Sequence, residues 1–187
     1  FYNDNRTIIR FNAVVRIFSF GSIGVHTTFI CFLSFTGLTA LYKICTKFFY
    51  NKKKELLFAI YLIPSVTFWG SGLLKEGILL FALGWFLYFY FNLIHGRFNI
   101  NSIIGILLFS ILFLLSKVYV LIALMPPVIA YLIVEKTGRQ YVLVKHAIIY
   151  LILFGVLANL HHINTSFNVF EIASKKQFEF VNMAIAW

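Results

Sequence analysis

A lysine and a glutamate stand side by side in one of the most apolar stretches of the chain, PSVTFWGSGLLKEG at residues 64–77. An ammonium group can hold a phosphate through a charge-assisted hydrogen bond, and a carboxylate can orient a substrate or accept its proton. Lys75 is therefore a candidate substrate-binding residue and Glu76 a candidate catalytic residue, with Trp69 as a further candidate contact to substrate. The alternative is a capped helical hairpin whose charges only mark the water boundary, with Trp69 in an interfacial aromatic belt.

A second group of charged residues lies near the start of the sequence, where Asp4 is followed by Arg6, Arg10 and Arg16. An acid beside arginines can act as a general base next to a pyrophosphate, because guanidinium groups bind phosphate oxygens in pairs. Asp4 is thus a second candidate catalytic residue, and Arg10 a candidate substrate-binding residue. Arginines near a membrane surface also bind lipid headgroups without any chemistry.

The sequence carries no pattern typical of a metal, nucleotide or redox site. His161 and His162 are adjacent, so they point in different directions on a helix and match no common zinc spacing. The Walker loop, the dinucleotide fingerprint and the nucleophile elbow are all absent from the sequence. We therefore expect no metal and no cofactor.

The elements that position these residues follow from composition. The chain has 187 residues, of which 61% are hydrophobic and 12% charged, and its mean hydropathy is +0.89. A soluble domain of this size cannot bury so much apolar surface. The sequence therefore predicts an all-α integral membrane protein embedded in a lipid bilayer. Its net charge of +10 indicates loops that face anionic lipid rather than a nucleic-acid partner.

Six transmembrane helices are predicted within residues 20–159, at 20–42, 56–69, 77–94, 100–115, 118–134 and 141–159. The second offers about 21 Å of helix against about 30 Å of hydrocarbon, so it either extends through Gly-Ser-Gly or stops partway as a re-entrant segment. Pro64 favours a kink within it. The long apolar run 100–134 is divided at Ser116–Lys117 into an outward hairpin; a rival division falls at Pro126–Pro127.

Orientation follows from the densest basic loop, whose lysines are Lys43, Lys47, Lys52, Lys53 and Lys54. The positive-inside rule places this loop in the cytoplasm, and six spans then put both ends of the chain outside it. The short outer loops carry only Lys75 and Lys117 as cations, so Lys117 joins the candidate substrate-binding residues.

Amphipathic segments flank the predicted six-helix domain. In residues 1–19, Ile8, Phe11, Val15 and Phe18 recur at helical spacing, which predicts a helix lying in the membrane interface; an irregular loop is the alternative. Residues 160–187 are predicted to form an extracytoplasmic amphipathic tail with an apolar stripe. The stripe consists of Phe167, Phe170, Phe178 and Val181.

Three stretches carry a family resemblance: "NDN…IIRFNAVVRIFSFGSIGVHTTFICFLSFTGLTALYK", "LIPSVTFWGSGLLKEG" and "KKQFEFVNMA". Together with the motif PS-x-x-FW-x-SG-x-x-K-[DE], they resemble bacterial envelope membrane proteins similar to GT-C-type glycosyltransferases and surface-polysaccharide polymerases. The resemblance implies a multi-pass protein of the bacterial inner membrane. It also implies a catalytic carboxylate in the first extracytoplasmic loop, for which Asp4 is the visible candidate, and an outer cavity shared with Lys75 and Glu76.

Two functions from different classes remain open. The resemblance implies an enzyme that moves a sugar from a polyprenyl-phosphate carrier at the outer leaflet during surface glycan assembly. The alternative is a non-catalytic membrane subunit that packs against membrane protein partners in a larger complex. A transporter is disfavoured, because no acidic residue is firmly placed in mid-membrane. The chain begins at Phe1 rather than Met, and we expect it to be an internal piece of a longer protein.

Overall fold

The computed structural model describes residues 5–96, 99–138 and 140–163, together with residues 174, 177–178 and 181–182. Over these residues the protein is helical and contains no strand, which confirms the predicted all-α class. The helices, in chain order, are α1 Asn5–Ser19, α2 Ile23–Phe48, a short 3-10 helix Tyr50–Lys52, α3 Lys53–Tyr61, α4 Pro64–Ser71, α5 Lys75–His95, α6 Ile100–Ser116, α7 Val118–Thr137 and α8 Val142–Ile163.

Three of the described helices, α2, α5 and α7, are long and apolar enough to cross a membrane. The 26 residues of α2 extend about 39 Å, more than the hydrocarbon thickness of about 30 Å. Helix α6 and the segment Val142–Val156 of α8 are shorter apolar helices. By length and composition these helices agree with the predicted membrane protein, and the count of six spans stays a prediction.

The chain divides into two compact units, Phe1–Ile122 and Ala123–Trp187. The first contains α1 to α6 and the start of α7. In the second, the end of α7 is closed by Lys145, whose Nζ lies 2.8 Å from both Thr137 Oγ1 and the Gly138 carbonyl oxygen. A cation at this position satisfies carbonyls at the end of α7. The predicted boundaries at residues 19 and 159 describe membrane position and stay a prediction, although α8 continues to Ile163.

The centre of the first unit is the pair α2 and α5, which run in the same direction. Gly77 lies against the Ile30 side chain near the start of both helices, and Lys47 Nζ donates to Asn92 Oδ1 near their ends. Midway, the two backbones meet at Gly37 and Gly84. A Cβ on Gly84 would overlap the carbonyl of Gly37, so only glycine permits this approach. Small residues at such crossings are typical of packed membrane helices.

Helix α6 packs antiparallel to α5 through aromatic rings. The Phe89 ring lies against Gly105, and the rings of Phe86 and Phe113 lie 5.9 Å apart, so contacts earlier in α5 meet residues later in α6. Phe113 is completely buried. Because the two helices are antiparallel, the first residues of α5 and the last residues of α6 lie at the same end of the unit.

The predicted second span, 56–69, is wrong as a single helix. Helix α3 ends at Tyr61 and α4 begins at Pro64, with Ile63 in extended backbone between them. A residue before proline is pushed away from helical geometry, and proline itself fits the first turn of the helix that follows. Pro64 therefore ends one helix and begins another, rather than kinking a continuous one.

The predicted break in the run 100–134 is confirmed. Helix α6 ends at Ser116, Lys117 is extended, and α7 begins at Val118. Pro126 and Pro127 lie inside α7, so the rival break at the prolines is wrong. That this turn faces outward stays a prediction.

The predicted helix in residues 1–19 is confirmed over Asn5–Ser19, and the alternative of an irregular loop is wrong there. Helix α1 packs against α2, α5 and α6. Val15 is buried, but Phe18, predicted to share its face, is 69% exposed. Ser19 is buried in its place, since it follows Val15 by four residues and so lies on the same helical face. The interfacial position of α1 stays a prediction.

The predicted amphipathic tail falls mostly outside the described residues, including Phe167 and Phe170. Of its predicted apolar stripe, Phe178 and Val181 are described, and both are exposed.

Candidate functional site

Glu76 and Lys117 form an ion pair, with 2.9 Å between Glu76 Oε1 and Lys117 Nζ. Glu76 lies in the first turn of α5, and Lys117 joins α6 to α7. The antiparallel packing of α5 and α6 brings them together across 41 positions of sequence. The pair is largely enclosed, with 25% of the Glu76 side chain and 13% of the Lys117 side chain exposed.

Local backbone geometry positions both charges. Gly72 and Leu74 are extended, so the chain leaves α4 and enters α5 within a few residues, which places Glu76 in the first turn. A carboxylate there interacts favourably with the unpaired N–H groups and positive end of the helix dipole. On the other side, the Lys117 backbone N–H donates to the Phe113 carbonyl at 2.8 Å and ends α6.

The environment keeps Lys117 charged. Burial by itself lowers the pKa of the Lys117 ammonium, but hydrogen bonds to Glu76 and Tyr119, together with the carboxylate charge, more than offset this. The pKa of Lys117 is therefore raised above its usual value. An ammonium and a carboxylate held in this way position each other, and Lys117 would have to leave Glu76 to bind a phosphate fully.

Lys75 belongs to the same end of the unit. It is the first residue of α5, directly before Glu76, and is half-buried. The structure thus gathers three of the sequence-predicted residues, Lys75, Glu76 and Lys117, and we name this group the outer charge cluster after its predicted side of the membrane. An ammonium group of this cluster can bind a phosphate oxygen through a charge-assisted hydrogen bond.

Trp69 is not joined to the outer charge cluster by any hydrogen bond or ring contact among the described residues. It lies on α4, half-exposed, with its ring packed edge-on against Phe68 at 5.4 Å between centroids. The geometry of the Glu76–Lys117 pair therefore does not bear on Trp69, and its contact with substrate stays a prediction.

Helix α1 begins at the same end. Thr7 donates a hydrogen bond from its hydroxyl to the carbonyl of Leu115, two residues before Lys117. Arg10 follows Thr7 by three residues, about one turn, and is exposed. Arg10 therefore lies on the helix that leads to the outer charge cluster, although among the described residues no hydrogen bond or ion pair joins Arg10 to Glu76 or Lys117. Asp4 lies outside the described residues.

A polar group missed in the sequence joins α1 to α2. His26 Nε2 lies 2.7 Å from Ser19 Oγ, and His26 Nδ1 lies 3.1 Å from Asn12 Oδ1. If Nδ1 carries the proton, it donates to Asn12 while the Ser19 hydroxyl donates to Nε2. His26 and Ser19 are both buried, 8% and 5% exposed. Asn12, Ser19 and His26 are seven positions apart in the sequence. The turn between α1 and α2, with Gly21 at φ 85°, interrupts the helix, so helical periodicity does not predict that these side chains meet.

Metal binding has no support in the described residues, which contain no group of three or more His, Cys, Asp and Glu able to hold an ion. Two open depressions lie along α2. One, of about 460 Å³, is lined by its first turns, and the other, of about 240 Å³, lies between α2 and α5. Neither is lined by the outer charge cluster.

The chain matches no protein-family model, no curated protein and no solved structure.

Proposed function

We propose that this chain is a multi-pass, glycosyltransferase-like protein of a bacterial inner membrane that handles a polyprenyl-phosphate-linked sugar in surface glycan assembly at the outer leaflet. The observation that supports this most is the outer charge cluster. Residues from two distant parts of the sequence place two lysines and a glutamate at one end of a membrane-embedded unit, where a lipid-linked phosphate would present its charge.

The proposed roles follow from the chemistry of each group. Lys75 binds a phosphate oxygen of the substrate by a charge-assisted hydrogen bond. Before substrate arrives, Lys117 pairs with Glu76. Once substrate is bound, the Lys117 ammonium donates hydrogen bonds to both the phosphate and Glu76. Glu76, freed in part, accepts the proton of the acceptor hydroxyl or orients that hydroxyl. Arg10 steers the anionic headgroup from α1, as basic residues near a membrane surface do.

The topology is part of the proposal. Six spans with both ends extracytoplasmic place the outer charge cluster outside the cytoplasm and the Lys43–Lys54 lysines inside it. The fold supports the separation of these two groups, because Lys47 contacts Asn92 near the end of α5 whereas Glu76 lies in its first turn.

The test is transfer from a polyprenyl-phosphate-linked sugar by the purified protein, together with surface glycan in a bacterium that carries each variant. Lys75→Gln should reduce both measurements strongly. Lys54→Gln, which removes the same charge from the opposite group, should leave both unchanged. Normal glycan and transfer in Lys75→Gln would refute the proposed role of this residue.

A non-catalytic membrane subunit is the second candidate. It is favoured by the ion pair itself, which engages Glu76 with Lys117 rather than directing both toward a cavity. If deletion of the gene leaves surface glycan unchanged but dissociates a membrane complex, this candidate replaces the first.

A further inference from the structure

A groove runs between α2 and α5, away from the outer charge cluster. It has a volume of about 240 Å³, and its walls include Phe32, Phe35, Thr36 and Thr39 of α2, and Trp85 and Tyr88 of α5. Its existence follows from the helix crossing. Where Gly37 and Gly84 bring the two backbones together, larger side chains on either flank must diverge and leave a trough.

The walls of the groove are held in place and present apolar surface. Trp85 Nε1 lies 3.5 Å from Thr36 Oγ1, and the Trp85 ring packs edge-on against Tyr88 at 5.5 Å. The hydroxyls of Thr36 and Thr39 donate to backbone carbonyls of their own helix, at Leu33 and Phe35. What remains for an occupant is ring faces and methyl groups, which suit a hydrocarbon chain.

One end of the groove carries a positive charge. Lys43 lines the groove one turn beyond Thr39 and is exposed, and no carboxylate of the described residues pairs with its ammonium. From Phe32 to Lys43 the helix rises about 16 Å, close to half of the hydrocarbon thickness of about 30 Å. An apolar trough as long as one leaflet matches the length of one acyl chain, and the ammonium at its end complements the negative charge of an anionic headgroup.

We propose that this groove binds one acyl chain of an anionic phospholipid, with the headgroup phosphate at Lys43. The occupant comes from the leaflet that faces the Lys43–Lys54 lysines. This site lies at the end of α2 and α5 opposite to the outer charge cluster, so the proposal goes beyond the proposed function and does not depend on it.

The test uses Trp85 as a reporter inside the groove. The full chain carrying Trp69→Phe and Trp187→Phe retains Trp85 as its single tryptophan. It is reconstituted into phosphatidylcholine vesicles that contain either brominated phosphatidylglycerol or brominated phosphatidylcholine, since bromine on an acyl chain quenches a ring that it contacts. Brominated phosphatidylglycerol should reach half-quenching at a mole fraction about fivefold lower than brominated phosphatidylcholine does. About fivefold is the difference in affinity expected from one lysine near an anionic headgroup.

Matched charge variants separate the groove from general attraction to the surface. Lys43→Gln should abolish the preference for the anionic lipid, whereas Lys54→Gln, which removes a lysine of the same group outside the groove, should retain it. Equal quenching by the two lipids, or equal loss of preference in both variants, would overturn the proposal. Far-ultraviolet circular dichroism of each variant checks that the helices are intact.

Discussion

Glu76 and Lys117 form an enclosed ion pair, 2.9 Å between Oε1 and Nζ, that joins the first turn of α5 to the residue linking α6 and α7. The position of neither charge along its own segment explains the pair. The pair exists because α5 and α6 pack antiparallel, and it turns two isolated charges in an apolar sequence into one local structure.

The first prediction is that either half of this pair is costly to remove. Glu76→Gln or Lys117→Gln leaves the other charge without its partner, and should lower the free energy of unfolding by about 1.5–3 kcal/mol. The exchanged variant, Glu76→Lys with Lys117→Glu, should recover part of that loss. Denaturation in detergent micelles measures both. Single variants as stable as the parent would contradict an energetic role for the pair.

The pH dependence of this contribution has a definite sign. The pKa of Lys117 is raised in the folded protein. While Glu76 is ionised, the stabilisation is therefore fully present below the ordinary lysine pKa of about 10.4 and is lost as pH rises through the higher folded value.

The second prediction separates substrate binding from stability at Lys75. Loss of one charge-assisted hydrogen bond to a phosphate should cost about 1.5–3 kcal/mol, or roughly a 10- to 150-fold loss of substrate affinity. Lys75→Gln should show this loss yet remain inserted and monodisperse. Lys75→Arg should restore little, because the planar guanidinium needs different space. Unchanged affinity in both variants would show that Lys75 only marks the water boundary.

The third prediction concerns the crossing of α2 and α5. Gly84→Ala places a methyl group against the carbonyl of Gly37 and should destabilise the protein by about 1–3 kcal/mol or more. Gly155→Ala is the matched control on α8, since a Cβ there meets nothing within 4 Å. The control should be neutral, or more stable by up to about 1 kcal/mol through helix propensity. Equal melting temperatures for the two variants would rule out the close crossing.

The fourth prediction concerns the polar joint between α1 and α2. His26→Phe removes the partner of both Ser19 and Asn12, and a buried polar group left unsatisfied costs about 1–3 kcal/mol. Limited proteolysis should then cut α1 more readily. His95→Phe is the comparison, because His95 is exposed near the far end of α5. Faster cleavage in the comparison variant alone would contradict the joint.

The fifth prediction concerns topology. In a background without Cys31 and Cys45, a single cysteine at position 52 should be protected from impermeant reagents in intact cells, because it lies among the predicted cytoplasmic lysines. Cysteines at positions 4 and 176 should be labelled. Labelling at position 52 without labelling at position 176 would reverse the predicted orientation.

Features that depend on local composition can be predicted from the sequence alone. Hydropathy predicted a helical membrane protein, and the charge at Lys117 within an apolar run predicted the break between α6 and α7. Pro64 predicts a kink, but the structure has a complete break there, because a residue before proline is pushed away from helical geometry and Ile63 is extended. Each of these features depends on a few neighbouring residues, so the amino-acid sequence is enough to predict it.

Which distant residues meet depends on how the helices pack. Their apolar surroundings mark Lys75, Glu76 and Lys117 as unusual charges in the sequence, but the antiparallel packing of α5 on α6 makes Lys117 the partner of Glu76. The closest approach of α2 and α5 at Gly37 and Gly84 likewise depends on which helices pair, and that choice also forms the groove beside Trp85. A periodic pattern states which face of a helix is apolar, whereas the partner of that face is settled by packing between segments far apart in sequence.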